Sequence, residues 1–145
     1  MVYAFPKVSV IAVGKIKKSW LRDGIAVYLR RSPEIEILEI KDSDKEKEGE
    51  KTLSFMKGNE TLIVLSEDGK LVSSVDFANL LTQYASNNMV FAIGGPDGIS
   101  QTLKDRASML LSLSPMTFPH EIARMLLVEQ LYRAKTILQG RSYHK

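Results

Sequence analysis

Apolar residues in this chain fall into two kinds of block. Lys7 to Val13 (KVSVIAV) is rich in β-branched residues and reads as a first strand, while Thr61 to Leu65 (TLIVL) and Met89 to Ile93 (MVFAI) are short continuous apolar runs. Such runs predict strands buried on both faces. Glu34 to Ile40 (EIEILEI) begins with Glu/Ile alternation and predicts a strand with one face partly in water. Ser108 to Ser112 (SMLLS) is a last short strand. Between them the apolar spacing lengthens to three and four. Leu21, Ile25, Tyr28 and Leu29 share one face of a helix from Trp20 to Arg31, with Ser19 as N-cap and Pro33 as breaker. Phe77, Leu80, Leu81 and Tyr84 do the same for a helix capped by Ser74 and running to Ala85. Ser100 caps a short helix to about Ala107. Lys41 to Gly58 is dense in charge and reads as a loop followed by a short helix, and Glu67 to Lys70 as a turn. Pro119 opens a long helix reaching Gln139, which Gly140 ends as a C′ residue. Strands alternating with helices imply an α/β fold, a mostly parallel sheet with helices on both faces.

The 145 residues, 44% hydrophobic and 26% charged, fit a single domain over 1–145. No run is long enough to cross a membrane, and the N-terminus lacks a signal-peptide layout, so a cytoplasmic protein is expected. Cysteine is absent, which excludes a disulfide framework and thiol chemistry. His120 and His144 are too few for a zinc site without thiolates, so no metal is expected. A net charge of +3 permits a nucleic-acid partner without requiring one.

Two features carry the candidate chemistry. After the Met89–Ile93 strand comes Gly94-Gly95-Pro96-Asp97-Gly98, a turn at the carboxyl end of a central strand. That is where open α/β sheets bind ligands, although a bare strand-to-helix turn has the same composition. The loop from Leu113 to Pro119 (LSPMTFP) is too apolar for a surface linker. The long last helix has two apolar stripes. Ile122, Leu126, Leu127, Ala134, Ile137 and Leu138 form one, and Met125, Val128 and Tyr132 the other. A helix packed only on its own sheet needs one stripe, so the second suggests another subunit or further cover from its own chain.

Three stretches taken together, FAIGGPDG (91–98), LSPMTFPH (113–120) and EQLYRAKTILQGRSYHK (129–145), resemble the RlmH family of SPOUT-class methyltransferases, as do the opening VIAVGKIKKSW and YLRRSPEIEILEI. The resemblance implies methylation of N3 of a pseudouridine in 23S ribosomal RNA, in the assembled ribosome, with S-adenosyl-L-methionine as methyl donor. It also implies a homodimer and a C-terminal trefoil knot that binds the cofactor in bent form. Periodicity could not suggest a knot, because knots are rare enough to be excluded by default. The implied cofactor pocket uses Leu65, Gly94 and the loop residues Leu113, Ser114, Pro115, Met116, Thr117 and Phe118. An irregular apolar loop suits adenine, and glycine at 94 lets main chain approach a ligand.

For catalysis the candidates are His144 and Arg133. The N3 imide must lose a proton: a neighbouring cation favours the anion, and a neutral histidine can accept the proton. Against these stand a frayed tail for His144 and an i,i+4 ion pair with Glu129 for Arg133. His120, at a helix start, reads as structural. Lys15, Lys17, Lys18, Arg30, Arg31, Arg141 and Lys145 are candidates for RNA phosphates. The competing functions are a non-catalytic α/β ligand-binding module and an RNA-binding ribosome assembly factor.

Overall fold

Val8 and Val10 of the first strand pair in register with Ile35 and Ile37 on one side and with Met89 and Phe91 on the other. These three strands belong to one sheet whose five strands all run parallel, in the spatial order Ile35–Ile40, Val8–Val13, Met89–Ile93, Thr61–Leu71, Met109–Ser112, so that Met89–Ile93 is central and Ile35–Ile40 an edge. The computed structural model describes residues 5–84 and 88–145. Its elements are β1 (Val8–Val13), α1 (Ser19–Arg31), β2 (Ile35–Ile40), α2 (Lys45–Ser54), β3 (Thr61–Leu71), α3 (Ser74–Gln83), β4 (Met89–Ile93), α4 (Gln101–Arg106), β5 (Met109–Ser112) and α5 (His120–Leu138). All five residues of β4 are buried, as expected for a strand covered on both faces.

Alternate strand residues feed two cores. Val8, Val10, Ile63 and Phe91 pack against Phe77 and Leu81 of α3 and Leu127 and Leu131 of α5. Ile11, Val64, Val90 and Ala92 pack on the other face against Leu103 of α4, with Leu53 of α2 beside them. The period-two alternation of a strand thus sends its side chains to helices on opposite faces.

Several local expectations shift. Ser19 is the first residue of α1 and Lys18 its N-cap, with no side-chain cap. Ser73, not Ser74, caps α3 by accepting from the Asp76 amide at 3.0 Å; Ser74 instead donates to Gln130 at 2.7 Å. That helix ends at Gln83, and Ala85 lies outside the described residues. The Glu67–Lys70 turn falls inside β3. Leu65 and Lys70 both pair with Leu111 of β5, so residues 66–69 bulge from a strand that resumes at Lys70.

The second stripe of α5 has its partner within the chain. Val128 is fully buried against Ile16, Leu21 and Ile25, with Met125 and Tyr28 beside it, so α1 lies along α5 on the same face of the sheet. Tyr132 packs on Tyr28 at 5.6 Å between ring centroids. The inference from this stripe to another subunit therefore fails. Buried charges on α5 also tie it to the ends of β1 and β2. Arg124, 2% exposed, donates to Glu39 and to the Gly14 carbonyl at 2.8 Å. Lys135 reaches Glu34 at 2.8 Å. Each charge is paired where it leaves water, as a buried ion must be.

Candidate active site

At the carboxyl edge of the sheet, the ends of β3, β4 and β5 and the start of α5 enclose a cleft of about 280 Å³. Leu65, Ile93, Leu111, Leu113, Met116 and Phe118 supply its apolar surface; Glu67, Asp68, Ser114, Lys104 and His120 supply its polar edge. Serine side chains hold the 113–118 loop in its irregular course. Ser112 donates to the Ser114 carbonyl at 2.9 Å, and the Ser114 hydroxyl accepts from the Met116 amide at 3.0 Å. Backbone groups freed by the absence of regular structure are thus partly satisfied locally, while Met116 stays 74% exposed at the mouth.

Opposite this loop lies the 94–98 turn, closed by the Gly98 amide donating to the Gly95 carbonyl at 3.0 Å. A Cβ at Gly94 would sit 2.7 Å from the Gly98 carbonyl oxygen and 2.8 Å from Ile99 Cδ1. Glycine at 94 is therefore required by the turn itself. Beneath the turn, Glu48 is 4% exposed and accepts from the Ser43 amide at 2.9 Å, with its Oε1 unpartnered. Burial, more than the adjacent Asp42 and Asp97, pushes its carboxyl pKa up.

The second candidate region is the tail beyond α5. Gly140, with φ of +71°, turns the chain: its amide donates to the Ile137 carbonyl at 3.2 Å, and the Arg141 amide to Thr136 at 2.8 Å. This pair of bonds is a Schellman motif, and it folds the tail back along the helix. Tyr143 packs edge-on against Tyr132 at 4.8 Å and donates to Glu129 at 2.7 Å. Burial first, then contacts with Tyr28 and Glu129, hold the Tyr143 hydroxyl above its ordinary pKa. Arg133 grips both oxygens of Glu129, at 2.7 and 3.3 Å, and that bond raises its own pKa. Its remaining Nη1 meets His144 Nδ1 at 3.0 Å. The tail is docked, not frayed; Arg133 is the i,i+4 partner of Glu129 that its spacing suggested, and it also touches His144.

A guanidinium can only donate, so His144 Nδ1 is the acceptor in this contact. With Nδ1 accepting, Nε2 is the nitrogen left to carry the ring's N–H. His144 thereby turns its other ring nitrogen, Nε2, away from this contact.

A family model described as "Predicted SPOUT methyltransferase" matches residues 7–144. The chain belongs to the SPOUT methyltransferase family. Similar relatives are each named ribosomal RNA large subunit methyltransferase H. The protein of Prochlorococcus marinus (strain MIT 9303) is 51% identical over 136 residues, covering 94% of this chain and 91% of the relative. That of Synechococcus sp. (strain RCC307) is 50% identical over 139 residues, covering 96% and 95%. That of Parasynechococcus marenigrum (strain WH8102) is 49% identical over 136 residues, covering 94% of each.

The SPOUT cleft gathers six of the eight expected cofactor residues: Leu65, Gly94, Leu113, Ser114, Met116 and Phe118. Pro115 and Thr117 are exposed and lie outside its lining. It adds residues that sequence reading missed. The bulged Glu67 and Asp68 reach it because β3 resumes beyond them, and His120, read as structural, lines it. Only the side-by-side acids of Glu67-Asp68 gave any signal, and that signal read as a turn. The donor set fits S-adenosylmethionine: apolar walls for adenine, loop backbone for its ring edges, and carboxylates for hydroxyl and cationic groups. Among the described residues, no group of three acidic or histidine side chains could hold a metal ion.

Proposed function

We propose that this chain methylates N3 of a pseudouridine in 23S ribosomal RNA, acting on the assembled ribosome in the cytoplasm. The observation that carries the reading is the cleft between the 94–98 turn and the 113–118 loop, in a chain 51% identical to a relative named for this reaction class. Leu65, Leu113, Met116 and Phe118 would hold S-adenosyl-L-methionine, whose sulfonium makes its methyl group electrophilic. Residues 1–145 act as one domain, and the trefoil knot implied by the resemblance is part of the same proposal.

In the reaction a bond forms between N3 and the methyl carbon, the carbon–sulfur bond breaks, and the N3 proton leaves to water. Deprotonation spreads charge from N3 onto the two flanking carbonyl oxygens. His144, with its proton on Nε2, donates to one of them and stabilises the anion as it develops. Arg133 fixes the ring and its tautomer. Its charge is largely balanced by Glu129, so its part is orientation more than bare attraction. Alignment of N3 with the methyl group supplies much of the rate.

A homodimer completes the site. Ala123 lines the cleft and Arg133 lies ten residues further along α5, about 15 Å of helix axis. His144 therefore sits well away from the cleft of its own subunit, and the tail of a second copy is the one that serves it. Two experiments test the reading. Ribosomes lacking the modification, given methyl-labelled donor, should become labelled at pseudouridine N3 in large-subunit RNA; absence of label overturns the proposal. Mixing a Phe118→Glu variant with one lacking residues 143–145 should restore activity that each lacks alone. No recovery on mixing removes the shared site.

A further inference from the structure

The loop from Gly14 to Lys18 and the first turns of α1 carry an unbalanced charge around one aromatic ring. Lys15, Lys17, Lys18 and Arg22 are all exposed, and Trp20 among them is 62% exposed. It is the one large apolar side chain exposed on this loop or on α1. The acids nearby offset the cations only in part. Glu39 is engaged by Arg124, while Glu121, which accepts from the neutral Lys17 amide at 2.8 Å, and Asp23 keep their charge, so four cations stand against two carboxylates.

The position of this loop matters as much as its charge. Ala12 pairs with Ile93, so β1 and β4 end side by side, and Val13 lies against Gly95 of the turn that lines the cleft. The Lys17–Glu121 bond ties the loop to the start of α5, one residue beyond His120 in the cleft lining. Beside it Lys15, Arg22 and Arg124 border a groove of about 490 Å³ floored by Ile16, Ile25 and Leu29.

We propose that this loop and the first turns of α1 bind single-stranded RNA next to the target nucleotide, with an unstacked base lying on the Trp20 indole and flanking phosphates met by Lys15, Lys17, Lys18 and Arg22. An exposed indole amid four cations matches a nucleic-acid stacking platform, in which the ring takes a base face and the cations track the backbone. A protein partner would be expected to need a wider apolar centre than one ring offers. A duplex hides its base faces, so the surface selects unpaired RNA. The inference rests on the RNA-methylating reading above.

Trp20 is the sole tryptophan of the chain, which makes it a direct reporter. A short single-stranded oligoribonucleotide, followed both by Trp20 emission and by polarisation of an end label, should quench the emission as it binds; the same sequence as a duplex should not. Trp20→Ala should weaken binding by about 5- to 100-fold, and Trp20→Phe should recover most of the loss. Lys17→Gln and Lys18→Gln should each lower the slope of log affinity against log salt by roughly one. Unchanged S-adenosylmethionine affinity in each variant checks the fold. Binding with unaltered Trp20 emission, wild-type affinity in Trp20→Ala, or no binding at low salt would each overturn the proposal. Quenching by RNA without any methyl transfer would leave this surface standing and remove the enzymatic reading. Wild-type transfer by Trp20→Ala at subsaturating ribosome would do the reverse.

Discussion

The cleft and the tail are built by different means. The cleft is made of main chain: strand ends, a turn whose first glycine leaves no room for a Cβ beside the carbonyl of its last, and a loop held by its own serines. The tail is made of side chains, with Tyr143 and Arg133 on one carboxylate, Glu129, and His144 on Arg133. A backbone-built site is set when the sheet forms, and damage to it reaches the fold. A side-chain-built site can be dismantled with little cost to the core. Mutations should therefore separate the two regions by what else they disturb.

The largest effect belongs to the cleft. Gly94→Val would place a Cβ 2.7 Å from the Gly98 carbonyl and 2.8 Å from Ile99 Cδ1, distances that force the turn to move. Overpacking of this kind costs about 1–3 kcal/mol. The variant should melt several degrees lower and show no measurable heat on titration with S-adenosylmethionine. Wild-type melting would mean that the turn yields freely and that the cleft is less backbone-determined than its contacts imply.

A tail substitution should spare both melting and cofactor affinity while lowering transfer. His144→Ala removes a donor aimed at developing charge, and losses near 100-fold are typical for one such donor. His144→Gln keeps an N–H and should recover at least a tenth of the wild-type single-turnover rate. If His144 is instead the base, glutamine will do no better than alanine, and the acid limb of the pH–rate profile will vanish in both.

The same contrast explains what could be read from sequence. Buried strands such as Met89–Ile93 announce themselves by continuous apolar runs, and the alternation of strands with helices gave the layers. The bulge at 66–69 could not be foreseen, because pairing of both Leu65 and Lys70 with Leu111 is a long-range fact that no local pattern carries. Nor could the partner of Val128 and Met125: a stripe records that something covers a helix, not whether it is α1 or another molecule. Six residues of the cleft lining and both tail candidates were legible through the family's motifs, read together in order. Composition alone would have left Arg133 as a surface ion pair, since its contact with His144 depends on the turn at Gly140.

The smallest expected effect tests how the tail is held. Tyr143→Phe deletes one hydroxyl that donates to Glu129 at 2.7 Å, leaving the edge-on packing with Tyr132 and the Arg133 guanidinium 4.9 Å over the ring. Glu129 keeps its bond from Arg133, so no carboxylate is abandoned, and the loss should be about 1 kcal/mol of docking, roughly a fivefold rise in the undocked population. Trimming of the last residues by carboxypeptidase reads that population. The wild-type tail should also respond to alkali. Burial holds the Tyr143 hydroxyl above its ordinary pKa of 10.0, so the docked form binds the proton more tightly than the undocked one. That contribution is complete below pH 10 and is lost as pH rises through the folded value. Trimming of the wild-type chain should therefore accelerate above about pH 10 relative to its neutral rate, after correction for the protease's own pH dependence. Tyr143→Phe has no such proton to lose and should start faster but stay flatter. Equal alkaline acceleration in both would assign the effect to another group and leave Arg133 as the principal tether of the tail.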